Sequence, residues 1–299
     1  MPQITILRSQ QDQSVNFVRA DMIESRYVRR EASYFIVYLS SHSGCNKACR
    51  FCHLTQTGQT TFVPSSIGDY LEQAKAVLAH YDGEGISRGG PAERVNFNFM
   101  ARGEPLANAS LLERGAELFE RLEELARARG LRAKFNISSI MPRSLSQPNA
   151  LDLLARAPGA HHIYYSLYSV DPVFRRRWLP KSLPVPTALD MLRRWQDATG
   201  RDVTIHGAFI EGENDSVDQV DAMLDAIERH GLRVKFNLVR YNPFSPAQGR
   251  ESGESVIQAN FDRIQARLAH PRSRIVPRVG FDVAASCGMF VTPEGLEDR

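Results

Sequence analysis

The stretch "SSHSGCNKACRFCHLTQ", residues 40–56, holds three of the four cysteines of this 299-residue chain. Cys45, Cys49 and Cys52 are spaced C-x3-C-x2-C and follow a predicted strand, "YFIVYLSS" (34–41). Spacings this short let one loop wrap three thiolates around an iron–sulfur cluster. Because only three ligands are close together, one iron of a four-iron cluster would stay open to another molecule.

A zinc site is the alternative interpretation of the same loop. Tetrahedral zinc normally needs four protein ligands. A second close Cys or His pair is missing, so the fourth ligand would have to be His42, His53 or Cys287. The loop therefore favours the iron–sulfur cluster over zinc.

Composition points to a cytoplasmic enzyme rather than a membrane or secreted protein. The start of the chain lacks the pattern of a signal peptide, and no apolar run is long enough to cross a bilayer. In a reducing compartment, clustered cysteines serve metals or catalysis more often than disulfides. The net charge of +3 is too small to establish nucleic-acid binding.

Predicted strands and helices alternate along the chain, which is typical of a parallel sheet. The predicted strands are 34–41, 94–101, 131–139, 161–169, 202–210 and 233–241, and the clearest helices are 65–81, 110–130, 185–200 and 215–231. Six such units predict an α/β fold, an open or partial (β/α)6 barrel with ligands at the C-terminal ends of its strands. We expect one core domain, 31–290, with a polar, irregular N-terminal extension (1–30) and C-terminal tail (291–299).

The segment "MARGEPLAN" (100–108) follows the second predicted strand. Gly103 lets the backbone approach a ligand closely, and Glu104 is an acceptor suited to an ammonium group. Taken with the cysteine loop, whose Phe51 precedes the last cysteine, this segment resembles the radical S-adenosylmethionine (SAM) superfamily. The resemblance implies a partial (β/α)6 barrel and a [4Fe–4S] cluster on the three cysteines, with SAM chelated to the open iron.

In that superfamily an electron from the cluster cleaves SAM to a 5′-deoxyadenosyl radical, so the resemblance also implies a reducing partner such as flavodoxin or ferredoxin. Gly103 and Glu104 correspond to the element that binds the amino group of SAM. Glu104 would be the acceptor for this ammonium group.

Four further segments, "FNISS" (135–139), "YYSLYS" (164–169), "LVRYNPF" (238–244) and "DVAASCGMF" (282–290), resemble the 23S ribosomal RNA adenine-C2 methyltransferases and their C8-methylating relatives. The resemblance implies SAM contacts from Ser138, Ser166, Leu167, Tyr168 and Asn242. Tyr168 stands where this branch usually has histidine.

The isolated Cys287 lies in "AASCG", which resembles the segment that carries a methyl-accepting cysteine. In that branch the thiolate takes a methyl group from one SAM, and the radical made from a second SAM activates this methyl group for addition to adenine. The resemblance therefore implies an RNA or nucleotide substrate and a catalytic role for Cys287.

Two features depart from this branch. The second catalytic cysteine, expected seven residues before Cys45, is replaced by Tyr38, a possible proton donor or acceptor. Only 44 residues precede Cys45, whereas the branch carries a longer RNA-recognition domain there. Two alternatives follow: a radical enzyme that takes hydrogen directly from a nucleotide or peptide without the cysteine relay, and a non-enzymatic zinc or iron–sulfur binding module.

Overall fold

Seven parallel strands form the centre of the fold, and the first six of them are the strands that the alternation of strand and helix predicts. In a computed structural model, which describes residues 3–145 and 151–297, they belong to one sheet whose strands lie in chain order. The strands are β1 (Ile4–Arg8), β2 (Val15–Arg19), β3 (Glu24–Glu31), β4 (Tyr34–Tyr38), β5 (Arg94–Phe99), β6 (Arg132–Ser139), β7 (His161–Ser166), β8 (Val203–Gly207), β9 (Val234–Leu238) and β10 (Arg274–Ile275). The pairs from β4 to β10 are parallel, which confirms the partial barrel.

Helices connect the parallel strands and cover the outer face of the sheet. They are α1 (His53–Gln56), α2 (Ile67–His80), α3 (Ile86–Gly89), α4 (Ala109–Arg127), α5 (Asp152–Ala155), α6 (Pro172–Trp178), α7 (Val185–Thr199), α8 (Val217–Arg229), α9 (Glu254–Leu268) and α10 (Glu294–Glu297). A π-helical turn, Tyr81–Gly85, follows α2, and two 3-10 turns span Pro105–Ala107 and Pro246–Gln248. All four helices predicted from periodicity are confirmed within three residues at each end.

The two faces of the parallel strands have different chemistry. Outward-facing aromatic rings pack against the helices, for example Phe135, which lies 5.8 Å from Phe97 and 4.5 Å from Phe119 between ring centroids. The inward face of β4 instead presents Tyr34 and Tyr38 to a cavity. Successive side chains of a strand point to opposite faces, so one apolar run can supply both the core and the cavity wall.

The prediction that residues 1–30 are irregular is wrong. Strands β1, β2 and β3 form an antiparallel meander that pairs with β4 and extends the sheet. Tyr27 of β3 is buried and lies 5.5 Å from the ring of Phe35. The proposed boundary after residue 30 falls inside β3, and the division into core and extension stays a prediction.

The tail after Phe290 is also more ordered than predicted. Val291 is buried, and α10 follows it. Residues 298 and 299 of the predicted tail lie outside the described residues. Helix α6 contains a run of basic residues, "FRRRW" (174–178). Its Arg175 is buried and donates to the carbonyl of Leu167 at 2.8 Å, so this part of the run is structural.

The C-terminal segment covers the open side of the barrel between β10 and β4. Arg274 of β10 donates to the hydroxyl of Tyr34 at 3.3 Å, and Val279 packs against Tyr34 and Ile36. Among the helices that the structure describes, none has the length and apolar character needed to cross a membrane.

Candidate active site

A cavity of about 240 Å³ opens at the C-terminal ends of the parallel strands. Most of the residues predicted from the sequence line it together: Tyr38, Cys45, Cys49, Cys52, Gly103, Glu104, Ser138, Ser166, Tyr168 and Cys287. Leu167 and Asn242 are the exceptions. The side chain of Leu167 is fully buried in the core, and Asn242 lies behind the segment that carries Cys287.

Backbone hydrogen bonds hold the cysteine loop in shape. The amide of Cys45 donates to the carbonyl of Gln59 at 3.1 Å, and the amide of Cys52 donates to that of Cys49 at 3.1 Å. Gly44 packs so closely on this return segment that a β-carbon would lie 2.7 Å from the Gln59 carbonyl oxygen. Glycine is therefore required at the position before the first cysteine.

The three thiols share one poorly hydrated wall of the cavity. Burial raises the pKa of Cys45 to about 11 and that of Cys52 to about 12. Burial, together with the proximity of Cys52 and Cys45, raises the pKa of Cys49 well above its usual range. Thiolates crowded in this way need a cationic partner, which is what an iron–sulfur cluster provides.

The three thiols do not form a site for a single metal ion. In the described part of the chain, no group of three His, Cys, Asp or Glu side chains could hold one metal ion. Cys45, Cys49 and Cys52 line one cavity, so that a larger cluster could bind all three.

Glu104 fits the amino group of SAM. Its carboxylate is buried at the cavity and accepts from the amides of Leu106 at 3.0 Å and Ile140 at 3.1 Å, and no cationic side chain of the described residues forms an ion pair with it. Burial raises the pKa of Glu104, and these hydrogen bonds partly offset the effect. An ammonium group entering the cavity would neutralise this buried acceptor.

The backbone conformation at position 103 requires glycine. Its φ is +92°, and a β-carbon would lie 2.5 Å from both Ser41 Oγ and His42 Nδ1. The turn before Glu104 therefore tolerates no side chain.

His206 joins two of the predicted SAM contacts. Its Nε2 atom lies 2.7 Å from Ser166 Oγ and 3.2 Å from Ser138 Oγ. Burial lowers the pKa of His206 to about 4, so the ring is neutral at pH 7. With Nε2 unprotonated, its single lone pair accepts from the nearer hydroxyl, that of Ser166, which leaves the lone pairs of this serine facing the cavity.

Replacing His206 by Phe is expected to weaken SAM binding about tenfold, because both serine hydroxyls lose the ring nitrogen that they contact. Isothermal titration of the reconstituted protein with SAM measures this change. Ser166→Ala, with His206 intact, is the matched control and should lose less. Unchanged affinity in His206→Phe would show that the serines do not contact SAM.

Tyr168 presents a stacked ring at the position where the resemblance predicts histidine. It lies 4.4 Å from Phe51 of the cysteine loop, with 8° between the ring planes, and its φ is +57°. A left-handed conformation is costly for a large side chain, so the surrounding contacts hold it in place. Among these contacts, Asn214 Nδ2 donates to the Tyr168 carbonyl at 2.9 Å.

Hydrogen bonds from two other segments hold the segment that carries Cys287. Asn242 Nδ2 donates to the Cys287 carbonyl at 2.8 Å, and the amide of His53, next to Cys52 of the cysteine loop, donates to the Gly288 carbonyl at 2.9 Å. Cys287 is exposed to the cavity, although the walls around it exclude enough water to raise the pKa of its thiol. Arg26 and Arg30 partly offset this shift.

A buried ion network joins this segment to the rest of the site. The fully buried Glu24 binds Arg26 at 2.7 Å, Arg102 at 2.7 Å and the amide of Val291 at 2.9 Å. Arg26 also donates to the carbonyl of Met289 at 2.7 Å.

Arg102 extends the network to the cysteine loop, donating to the carbonyl of Ser43 at 3.0 Å. Burial alone would raise the pKa of Glu24, but Arg102 and Arg26 outweigh it and lower this pKa. The meander, the cysteine loop and the Cys287 segment therefore meet at one carboxylate.

Replacing Glu24 by Gln is expected to lower the free energy of unfolding by about 3–5 kcal/mol, because two buried guanidinium groups lose their counter-charge. The stabilisation is present above the unfolded pKa of about 4.3 and is lost as pH falls through the lower folded pKa. Urea unfolding at pH 7 measures the loss of unfolding free energy. The exposed Glu93→Gln, which breaks a surface pair with Arg132, should change stability little. Equal effects of the two substitutions would contradict the prediction.

Sequence reasoning missed His206, Arg26, Glu24 and Arg102. His206 could have been found, because alternation along the predicted strand 202–210 places it on the same face as Thr204. Arg102 directly precedes Gly103 but gives no signal of its own. Glu24 and Arg26 lie in a segment whose charges resemble a solvated surface.

The parallel partial barrel, the three-cysteine loop and the acceptors around the cavity define an enzyme that binds SAM at an iron–sulfur cluster. The sequence profile of the Radical SAM superfamily matches residues 39–227, more than half of the chain. The chain belongs to the radical SAM superfamily, and its cofactors are a [4Fe–4S] cluster and SAM.

Individual proteins that are similar to this chain include RNA methyltransferases. The chain is 27% identical over 291 residues to a probable dual-specificity RNA methyltransferase RlmN of Parafrankia sp. (strain EAN1pec), covering 96% of this chain and 72% of the relative. It is 28% identical over 267 residues to the protein of the same description from Frankia casuarinae, covering 88% of this chain and 60% of the relative. A radical SAM methyltransferase from Sphaerobacter thermophilus has the same fold, with a TM-score of 0.76 at 22% identity over 97% of this chain and 81% of that one.

Proposed function

We propose that the protein is a radical SAM methyltransferase that methylates an unactivated carbon of adenine in RNA through Cys287. The observation that carries the proposal is the position of Cys287, which faces the same cavity as Cys45, Cys49 and Cys52. The similarity to RNA methyltransferases over most of the chain supports an RNA substrate.

Different residues of the cavity would bind the cluster and SAM. Cys45, Cys49 and Cys52 would hold the cluster, and Glu104 would accept the amino group of SAM. Bound together, the cluster and SAM supply a methyl group and a carbon-centred radical. Ser138 and Ser166, oriented by His206, would position the rest of the SAM molecule, and the Gly103 backbone leaves room for it.

Cys287 would receive the methyl group on its sulfur. This transfer requires the thiolate, and Arg26 and Arg30 favour that form against the effect of burial. Hydrogen bonds to the carbonyls of Cys287 and Gly288 fix the segment, so that its thiol stays directed to the cavity.

Tyr38 would serve as a proton donor or acceptor in place of the second cysteine. It lines the cavity and is half-buried, and it pairs with Arg26 across the β3–β4 register. Opposite residues of an antiparallel pair lie on the same face, so Arg26 and Tyr38 share the wall near Cys287.

The reaction also requires an electron donor, for which flavodoxin or ferredoxin is our proposal. The substrate would enter past Arg30, which lines the cavity, forms no ion pair among the described residues and suits phosphate.

The test is to reconstitute the protein anaerobically, supply SAM with a labelled methyl group and total bacterial RNA, and follow the label. We expect label on Cys287 by mass spectrometry and in methylated adenosine after digestion of the RNA. The proposal fails if label reaches neither the cysteine nor the RNA while SAM is still consumed.

A further inference from the structure

A second group of polar side chains lies in the barrel, away from the cysteine loop. Three strands carry the same pattern near their start, a basic residue followed by an apolar residue and asparagine: Arg94-Val95-Asn96, Lys134-Phe135-Asn136 and Lys235-Phe236-Asn237. Strand β7 has a related sequence, His162-Ile163-Tyr164. The residues proposed to bind the cluster and SAM all lie at the other ends of the strands.

These basic side chains point into the barrel. Asn96, Asn136, Tyr164 and Asn237 all line the cavity. Residues two positions apart on a strand share a face, so the basic residues lie on the inner wall, nearer the N-terminal ends of the strands. We call Arg94, Lys134, His162, Lys235 and Arg274 the basic cluster; Arg274 is opposite Asn237 in the β9–β10 pair.

The lysines of the basic cluster have no polar partners in the part of the chain that the structure describes. Lys134 and Lys235 are half-buried, and among the described residues neither ammonium group makes a hydrogen bond or an ion pair. Arg274 is only partly satisfied, because its Nε atom is buried without a partner. Above the lysines, the side-chain oxygens of Asn136 and Asn237 are also buried and unpaired.

The acids nearby leave the two lysines unpaired. Glu31 binds Arg274 of the basic cluster at 3.4 Å, and Asp202 binds Arg233 at 3.1 Å, His270 at 3.2 Å and Arg272 at 3.6 Å. Neither acid compensates the charges of Lys134 and Lys235, so their positive charge stays unpaired inside the N-terminal half of the barrel. Like charges gathered in a partly desolvated site are unfavourable unless an anion joins them.

We propose that the basic cluster binds the dianion of a phosphate group, with Lys134 and Lys235 as its main donors. A phosphate offers several acceptor oxygens at once, which matches two ammonium groups and the free Nε donor of Arg274. Since the lysines are half-buried rather than enclosed, a small anion can reach them from solvent. This site is separate from the proposed methyl-transfer chemistry and does not depend on it.

The electrostatics of the lysines agree with this assignment. Burial and the charges of Arg94, Arg272 and Arg274 lower the pKa of Lys134 to about 8. Burial, Arg274, Lys134 and Arg272 lower the pKa of Lys235 to about 8. Both lysines remain mostly protonated at pH 7, when inorganic phosphate carries the complementary negative charge.

The test is isothermal titration of the anaerobically reconstituted full chain with inorganic phosphate at pH 7, without SAM or RNA, at an ionic strength held constant with chloride. We expect saturable binding with a Kd of about 1 mM or lower. In the double variant Lys134→Met, Lys235→Met, binding should weaken at least about tenfold. Lys75→Met, on the exposed surface of α2, is the matched control and should bind as the wild type does.

A second measurement uses only the wild type and so does not depend on the folding of a variant. Phosphate should protect Lys134 and Lys235, but not Lys75, from acetylation by acetic anhydride, as read by mass spectrometry. A short oligonucleotide that displaces phosphate would assign the site to a nucleic-acid phosphate, and failure to displace it would assign the site to a free phosphate. Absence of saturable binding, phosphate binding that the double variant retains, or equal acetylation with and without phosphate would overturn the proposal.

Discussion

Replacing Cys45, Cys49 or Cys52 by Ala is expected to remove the iron–sulfur cluster and to reduce SAM cleavage below detection. Each variant leaves two thiols in the cysteine loop, too few to hold a cluster with one open iron. Iron and acid-labile sulfide, together with visible absorbance after anaerobic reconstitution, measure the cluster. The formation of 5′-deoxyadenosine under reduction measures SAM cleavage.

Cys287→Ala is the matched control for this experiment, since it also removes one cavity thiol. It should retain the full content of iron and sulfide. A single variant of the cysteine loop that kept wild-type iron would show that the ligand at that position had been assigned wrongly.

The second large effect concerns Cys287 itself. Its replacement by Ala is expected to abolish RNA methylation while SAM cleavage continues, because the residues proposed to hold the cluster and SAM stay in place. The measurement compares labelled methyl groups in RNA with 5′-deoxyadenosine formed in the same reaction.

Ser286→Ala is the neighbouring control, because it keeps the thiol and removes only a hydroxyl next to Asn242. Its RNA methylation should persist. If Cys287→Ala still methylated RNA, the cysteine relay would be wrong, and direct hydrogen abstraction from the substrate would become the better description.

Much of the fold could be predicted because the signals were local. The strands and helices of the barrel follow from periodicity, and the three cysteines stand close together in one loop. Glu104 was recognisable from its place at a strand end. These features depend on residues near each other in sequence, which a single chain displays directly.

The parts that escaped prediction depend on contacts between distant segments. Glu24 is 78 residues from Arg102, and the hydrogen bond between them gives no mark in the sequence. Arg102 and Arg26 can be buried because they are paired with Glu24. Judged by residue type alone, both arginines would be expected at the surface. The meander was missed for this reason.

The hydrogen bonds of Arg102 have a consequence for how the protein is made. Its guanidinium group donates to the carbonyl of Ser43 in the cysteine loop and to the carbonyl of Val291. Val291 is synthesised after all the strands of the barrel. During synthesis the loop exists for a time with only part of its support. We therefore expect cluster insertion to follow translation of the C-terminal segment, so that the finished chain, rather than a nascent one, is the acceptor of iron and sulfide.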